Sequence, residues 1–456
     1  MNSRALQTRS WAFAVAWLAY FTALQWSVVR FKVPIVVILT ACAVALALWQ
    51  WRRSRVVLTP AALVLMLGGS ALATLVVPLF SYLEGPGLAA SRVILIVGPL
   101  AVAALLWPGR EVNARAALVV ALAAYLAVGV LAIRTDPAPD IDVWVTVQQA
   151  SDALARGVNF YEVTWVGSPG VDDAFTYLPW TAVLLAPGRW LLGDVRWALI
   201  LWTLVSAVGV WALATRPRDG RRDTTESRAV PGPRWRGAAL VALLLFAPGT
   251  LTQVDQAWTE PLLLAGLVWW LVLVDRDRAW WAVIPLALAC ASKQHLALML
   301  PVLLLWRPFG VRRTLATGAL TALLIAPWFL AGPADFLHDT VTLLVSFHAI
   351  LFANTLYLLA LNVFGVALPF WITGVVVLGA LILVMLAVHR RQPDAAELLR
   401  WLALLLLVAN LVNKQAFYNQ FWLSGALVVV SLAVAPAGRL VRAEPGVRAG
   451  VVRPPT

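Results

Sequence analysis

Long apolar runs broken by short polar turns recur along the chain from Trp11 to Pro436. A helix rises about 1.5 Å per residue and the hydrocarbon layer is about 30 Å thick, so each run of about 20 apolar residues predicts one crossing. The first five predicted spans are 11–29, 34–51, 57–80, 92–107 and 115–133. Further spans are expected at 197–214, 238–254, 258–274, 314–331, 367–388, 398–413 and 417–436, with a helical hairpin in 280–306. Arg4 and Arg9 precede the first run as in a secretion signal. No small-residue cleavage site follows, so that run is expected to remain as the first helix.

The turns differ in charge. Arg52, Arg53, Arg55, Arg110 and Arg115 mark cytoplasmic turns, which places the N-terminus in the cytoplasm. Residues 134–174 carry Asp136, Asp140, Asp142, Asp152, Glu162, Asp172 and Asp173 against Arg134 and Arg156, and read as one long outer loop. The arginine-rich stretch 215–237 reads as cytoplasmic, yet two apolar segments, 175–192 and 197–214, precede it. Two crossings would leave it on the wrong face, so 175–192, interrupted by Pro179, Pro187 and Gly188, is expected to be re-entrant or interfacial. By the same parity 350–366 lies along the outer interface, because His389, Arg390 and Arg391 belong inside. The hairpin 280–306 turns at Ser292-Lys293-Gln294-His295. These readings predict an all-α polytopic membrane protein with about fourteen transmembrane helices and an outer acidic loop carrying interfacial helices. The divisions are a four-helix extension, 1–110, a membrane core, 111–436, and a basic cytoplasmic tail, 437–456.

Composition narrows the class. Hydrophobic residues make up 62% of the 456 and charged ones 12%, with a mean hydropathy of +0.84, whereas a soluble domain carries about 25% charged residues. The net charge of +13 comes from arginines clustered between spans, which report orientation and not nucleic-acid binding. Cys42 and Cys290 sit inside apolar runs without metal-ligand spacing. Only three lysines occur, Lys32, Lys293 and Lys414, so lysine in this arginine-rich chain hints at chemistry.

The candidate chemistry gathers on the predicted outer face. Residues 140–157 read as a short amphipathic helix, with Val143, Val147, Ala150 and Leu154 on one side and Gly157 as its stop. Asp140 or Asp142 would cap that helix, leaving the other free as a general base. Lys293 and Lys414, each followed by Gln in an outer turn, offer compact positive charge, or snorkel at helix ends. His295 stands beside Lys293 as a phosphate contact or a packing residue, while His338 and His348 lack metal spacing. Asp255 and Glu260 could touch a sugar, and Glu260 could equally begin the helix at Pro261. No metal site or cofactor is expected, although the close pair Asp172 and Asp173 keeps a divalent cation open.

Several of these stretches resemble a known family. Asp142-Val-Trp, Gln148-Gln-Ala, Leu154-Ala-Arg-Gly-Val-Asn-Phe-Tyr161 and Phe175-Thr-Tyr-Leu-Pro179 look like the first outer loop and following helix of polyprenyl-phosphate-sugar glycosyltransferases of the GT-C superfamily. Gln253-Val-Asp-Gln256 with Glu260, Ala291-Ser-Lys293-Gln-His295 and Asn413-Lys-Gln-Ala-Phe-Tyr-Asn-Gln420 are similar to family 87, the bacterial mannosyl- and arabinofuranosyltransferases. The resemblance covers about 111–436, and four spans precede the point where family members usually begin. It implies a GT-C-like bundle in the plasma membrane that transfers a sugar, with inversion, from a polyprenyl-phosphate donor to a glycan or glycolipid acceptor on the outer face. Asp142 would be the base, with Asp140 as alternative. Lys293, His295 and Lys414 would meet the donor phosphate, and Tyr161, Tyr177, Asp255, Gln256, Glu260, Gln294, Gln415 and Asn419 the substrates. The competing classes are a secondary transporter or lipid-linked-glycan flippase, which the number of spans alone would suit, and a ligase moving a whole lipid-linked glycan.

Overall fold

The computed structural model describes residues 3–54, 56–216 and 232–434. The expected tail 437–456 and most of the basic stretch 215–237 lie outside them. The first helices are α1 (Ser3–Ser27), α2 (Val33–Arg52), α3 (Pro60–Val76), α4 (Gly85–Leu106), α5 (Ala114–Thr135), α6 (Asp142–Ala155), α7 (Trp180–Leu192) and α8 (Arg196–Thr215). They are followed by α9 (Pro233–Leu245), α10 (Thr250–Asp255), α11 (Glu260–Asp275), α12 (Val283–Cys290), α13 (Met299–Leu305) and α14 (Gly310–Ala331). The last are α15 (Pro333–Leu337), α16 (Leu343–Ser346), α17 (Leu356–Phe364), α18 (Phe370–Arg391), α19 (Ala395–Val412) and α20 (Tyr418–Ala433). No strand occurs among the described residues.

Seven of these helices are long and apolar enough to cross a bilayer unaided: α2, α4, α5 with the turn before it, α8, α14, α18 and α19. Local chemistry sets many of the starts. Proline occupies the first turn of α2, α3, α4, α9 and α11, where its missing N–H is no loss. Asp394 caps α19 by accepting from Glu397 N at 2.8 Å. Small residues let helices touch, as lipid-embedded packing requires: Gly129 of α5 lies against Ile200 of α8, and Gly209 of α8 against Val268 of α11.

Hydrogen bonds between turns sort the helix ends onto two faces. On one, Asn354 donates to the carbonyls of Ser27 and Arg30, Gln25 reaches the end of α3 at Ala73 and Val77, and Arg196 reaches Asp136 at the end of α5. This is called the acidic face below. On the other, Arg216 pairs with Asp275, Glu111 accepts from the backbone of Arg234 and Trp235, and Trp306 donates to Pro393. This is the basic face.

Helices α7 and α17, which cover the segments expected not to cross, are short, as is α9, which was expected to cross. α7 has 13 residues, about 20 Å long, and its end is tied to α6 by Arg189–Asp152 at 2.8 Å and Trp190 to the Ser151 carbonyl at 2.9 Å. It stays on the acidic side, and α8 then runs to the basic face. α17, of 9 residues, is also too short to cross. α12 and α13 are the arms of a short hairpin whose tip, Ser292 and Lys293, is buried and not at the surface.

α9 and α10 are separated by Gly249, whose φ is +91° and whose missing Cβ is the space taken by the Tyr418 ring. Tyr418 also donates to the Pro248 carbonyl at 2.9 Å. This bend turns 250–260 back into the bundle. Gly249→Ala is expected to lower stability by about 2 kcal/mol, through strained backbone and overlap with Tyr418, read as a lower unfolding temperature in detergent.

Candidate functional site

Two polar clusters lie toward the acidic face. The first is built on Arg196, the first residue of α8, which is fully buried. Its guanidinium pairs with Asp194, Nη2 to Oδ2 at 2.7 Å, and donates to the carbonyls of Asp136 at 2.6 Å and Asp255 at 3.4 Å. Trp144 Nε1 adds a bond to Asp194 Oδ2 at 3.2 Å. The end of α5, the start of α8, the acidic loop and the 250–255 turn thus share one charged anchor.

Around that anchor stand Asp136, Asp140, Asp142 and Asp255, all acting on the Tyr82 hydroxyl, whose pKa burial and then these charges push up to about 12. Asp255 Oδ2 accepts from Ser81 Oγ at 2.9 Å and Tyr82 N at 2.7 Å. Its other oxygen and Asp136 Oδ2 are buried without a hydrogen-bond partner. Burial, the largest cause, pushes Asp255 up to about 7, and Asp136 is raised likewise.

Asp142 is half-buried and Asp140 exposed. Neither is the cap of α6: Ile141 occupies that position, and Asp142, the first helical residue, accepts from Val143 N at 2.8 Å. That correction to the expected capping follows from the extended backbone of Ile141, which delays the helix by one residue. The other end fits the expectation, with Gly157 at φ +69° after Arg156. Burial raises the pKa of Asp142.

The second cluster surrounds Lys293. Its Nζ lies 2.5 Å from Glu260 Oε1 and 3.4 Å from Thr259 Oγ1, and 5.2 Å from the centre of the Tyr177 ring. Asn419 of α20 donates to the same Glu260 oxygen at 3.1 Å. Glu260 Oε2 and Gln256 Nε2 are buried without partners, the kind of unsatisfied groups that call for explanation. Tyr177 joins the clusters: burial first, then the charges of Asp142 and Glu260, raise its hydroxyl pKa.

The other expected residues have structural partners. Tyr161 donates to the Tyr177 carbonyl at 2.8 Å, and Gln294 to those of Thr176 at 2.9 Å and Thr340 at 3.3 Å. Lys414 donates to the carbonyls of Val345 at 2.7 Å and Phe347 at 2.5 Å, and Gln415 to that of His348 at 3.0 Å. His295 follows on the turn Gln294–Leu298. Asp172 and Asp173 are exposed, and among the described residues no three His, Cys, Asp or Glu side chains stand together to hold a metal. Sequence reasoning passed over Tyr82, Asp136, Arg196 and Asp339, which accepts from Phe175 N at 2.7 Å. A charged residue beside an apolar run, as in Asp194-Val-Arg196, was the available signal.

A family model described as glycosyltransferase family 87 matches residues 175–413, more than half of the chain. The chain belongs to glycosyltransferase family 87. The matched stretch of this family 87 glycosyltransferase holds Tyr177, Asp255, Glu260 and Lys293, while Asp142 precedes it and Asn419 follows it. No curated protein matches the chain. Family membership and helices of crossing length together make it a multi-pass membrane enzyme of group transfer, which stands against the transporter and flippase alternatives.

An acid with a raised native pKa holds more protons folded than unfolded. Between its ordinary 3.8 and about 7, Asp255 therefore makes stability fall as pH rises, and above that range its contribution is flat. Asp255→Asn is expected to reduce that slope, measured as unfolding temperature against pH in detergent. An unchanged slope would assign the titration elsewhere.

Proposed function

We propose that this enzyme transfers a sugar of the mannose or arabinofuranose class from a polyprenyl monophosphate to a hydroxyl of a cell-envelope glycan or glycolipid. The reaction runs on the outer side of the plasma membrane, which is the acidic face, and inverts the anomeric centre. What carries the reading is Asp142, a half-buried carboxylate with a raised pKa, linked through Tyr177 to a buried lysine.

Asp142 takes the proton of the acceptor hydroxyl, and burial strengthens it as a base. The acceptor oxygen then bonds the anomeric carbon on the side opposite the phosphate. The carbon–oxygen bond to phosphate breaks and its electrons leave with the prenyl phosphate. Positive groups must meet that charge. Lys293, held by Glu260, is one, and Lys414 is another: two of its three donors hold carbonyls, which leaves one for phosphate. His295 supplies a further contact. Gln256, Glu260, Asn419 and the Asp255 turn line the sugar, with Tyr161, Gln294 and Gln415 fixing the surrounding loops. Asp140 stands at an open recess of about 380 Å³ with Trp144 and Arg189, a path for the acceptor.

The test is transfer from mannosyl- and arabinofuranosyl-prenyl phosphates in membranes holding the full chain, read by product mass. Asp142→Asn is expected to lower the rate at least about 100-fold at equal expression, and Lys293→Ala to lower it also. Full activity in both Asp142→Asn and Asp140→Asn would remove the base, and no product from either donor would remove the substrate class.

A further inference from the structure

Residues 138–140, helix α6, the turn at Val166 and Gly167, and Arg189 of α7 enclose the open recess of about 380 Å³ beside Asp140, within the ~300–1,000 Å³ range of ligand pockets. Its walls are held from behind. Gln149 of α6 grips the turn through both ends of its amide, donating to the Val166 carbonyl at 2.7 Å and accepting from Val166 N at 3.2 Å. Gln148 does the same for the residues after α7, with the Gly193 carbonyl at 2.8 Å and Val195 N at 3.1 Å. Arg189 spends its fork on Asp152, at 2.8 and 2.9 Å, and its Nη1 on the Gly193 carbonyl at 2.9 Å. Trp144 is pinned by its bond to Asp194, and the Arg196 guanidinium lies 5.9 Å from the centre of its ring. The same indole lines the recess. Side chains so fixed lose little freedom when a ligand arrives.

The lining selects the occupant. Two carboxylates and one guanidinium give it a net charge of −1, and Asp152 already neutralises the guanidinium, so a phosphate or an anionic headgroup finds no free cation there. The polar walls are equally unsuited to an acyl or prenyl chain. What they offer is a flat indole and, in Asp140, an exposed carboxylate that pairs with no cation among the described residues and can accept from hydroxyls. A sugar ring matches both, with C–H groups on its face and hydroxyls on its edge. Asp142, Val145, Gln149 and Asp152 follow one another at intervals of three and four, so they share one side of α6, and the last three line the recess. Asp142 and Asp152 are about 15 Å apart along the helix axis, more than one sugar ring spans.

We propose that the recess binds the non-reacting rings of a saccharide acceptor, so that the substrate is a glycan of at least two sugars and the enzyme lengthens a chain already begun. This rests on the reading of Asp142 as the base. The terminal ring presents its hydroxyl to Asp142, while the preceding ring lies on the Trp144 indole and donates to Asp140. An acceptor with a single sugar leaves the recess unused.

Saturation-transfer NMR on the purified full chain in mild detergent tests this without the transfer reaction, with methyl α-mannoside, methyl α-mannotrioside and the corresponding arabinofuranosides as probes. In one of the two series the trisaccharide is expected to bind about tenfold more tightly than the monosaccharide. Asp140→Ala, at an exposed position, and Trp144→Leu are each expected to remove most of that gain. If Trp144→Leu does not fold, having lost its bond to Asp194, Asp140→Ala carries the comparison. Equal affinity for one ring and three in both series, a gain that survives in the variants, or no saccharide binding at all would overturn the recess as an acceptor site. Tighter binding of tetramethylammonium than of any saccharide would assign the indole and carboxylate to a cation and overturn it as well. Because binding is read apart from turnover, failure here leaves transfer by the unaltered chain intact, whereas a wrong reaction class shows as no product in the transfer assay.

Discussion

The acidic face is organised by a charge that cannot be removed. Arg196 is fully buried, and a guanidinium keeps its proton at any ordinary pH, so acceptors have to be assembled around it. Asp194 supplies the counter-charge from two residues away, and the carbonyls of Asp136 and Asp255 complete the shell. Three chain segments far apart in sequence are thereby held at one depth. Loss of one member of such a pair leaves a bare buried charge, a penalty of about 3–5 kcal/mol, so the geometry around Asp142 inherits the rigidity of this anchor.

The Lys293–Glu260 pair serves a different end. It lies at the tip of a short hairpin, and its partner carboxylate has one oxygen bonded by both Lys293 and Asn419 and the other unpartnered. Ionisable groups at such depth are expensive and tend to mark function. As a pair they carry no net charge, which makes the resting site tolerable in a membrane. Tyr177, with Lys293 near its ring and both Asp142 and Glu260 acting on its hydroxyl, sits where the two clusters meet.

The all-helical architecture could be read from the apolar runs, while seven helices, not about fourteen, are long and apolar enough to cross unaided. The amphipathic stretch ending at Gly157 became α6, and the segments that parity forbade from crossing became α7 and α17, both shorter than a bilayer. These features are local, and periodicity reports local features. The site was legible only in outline. Asp142 and Lys293 stood out as types, but that Glu260 neutralises Lys293 depends on a contact across 33 positions. The role of Arg196 was hidden because a charge at a helix start looks the same whether water or three segments surround it. Tyr82 was missed because residues 1–110 read as a separate module.

Residues 80–82 nonetheless bond directly to the matched stretch. Asp255, in the heart of the family-matched stretch, takes both its conventional hydrogen bonds from Ser81 and Tyr82, and Thr252 donates to the carbonyl of Phe80 at 2.6 Å. Excising the first four helices would strip a buried carboxyl of both its hydrogen-bond donors.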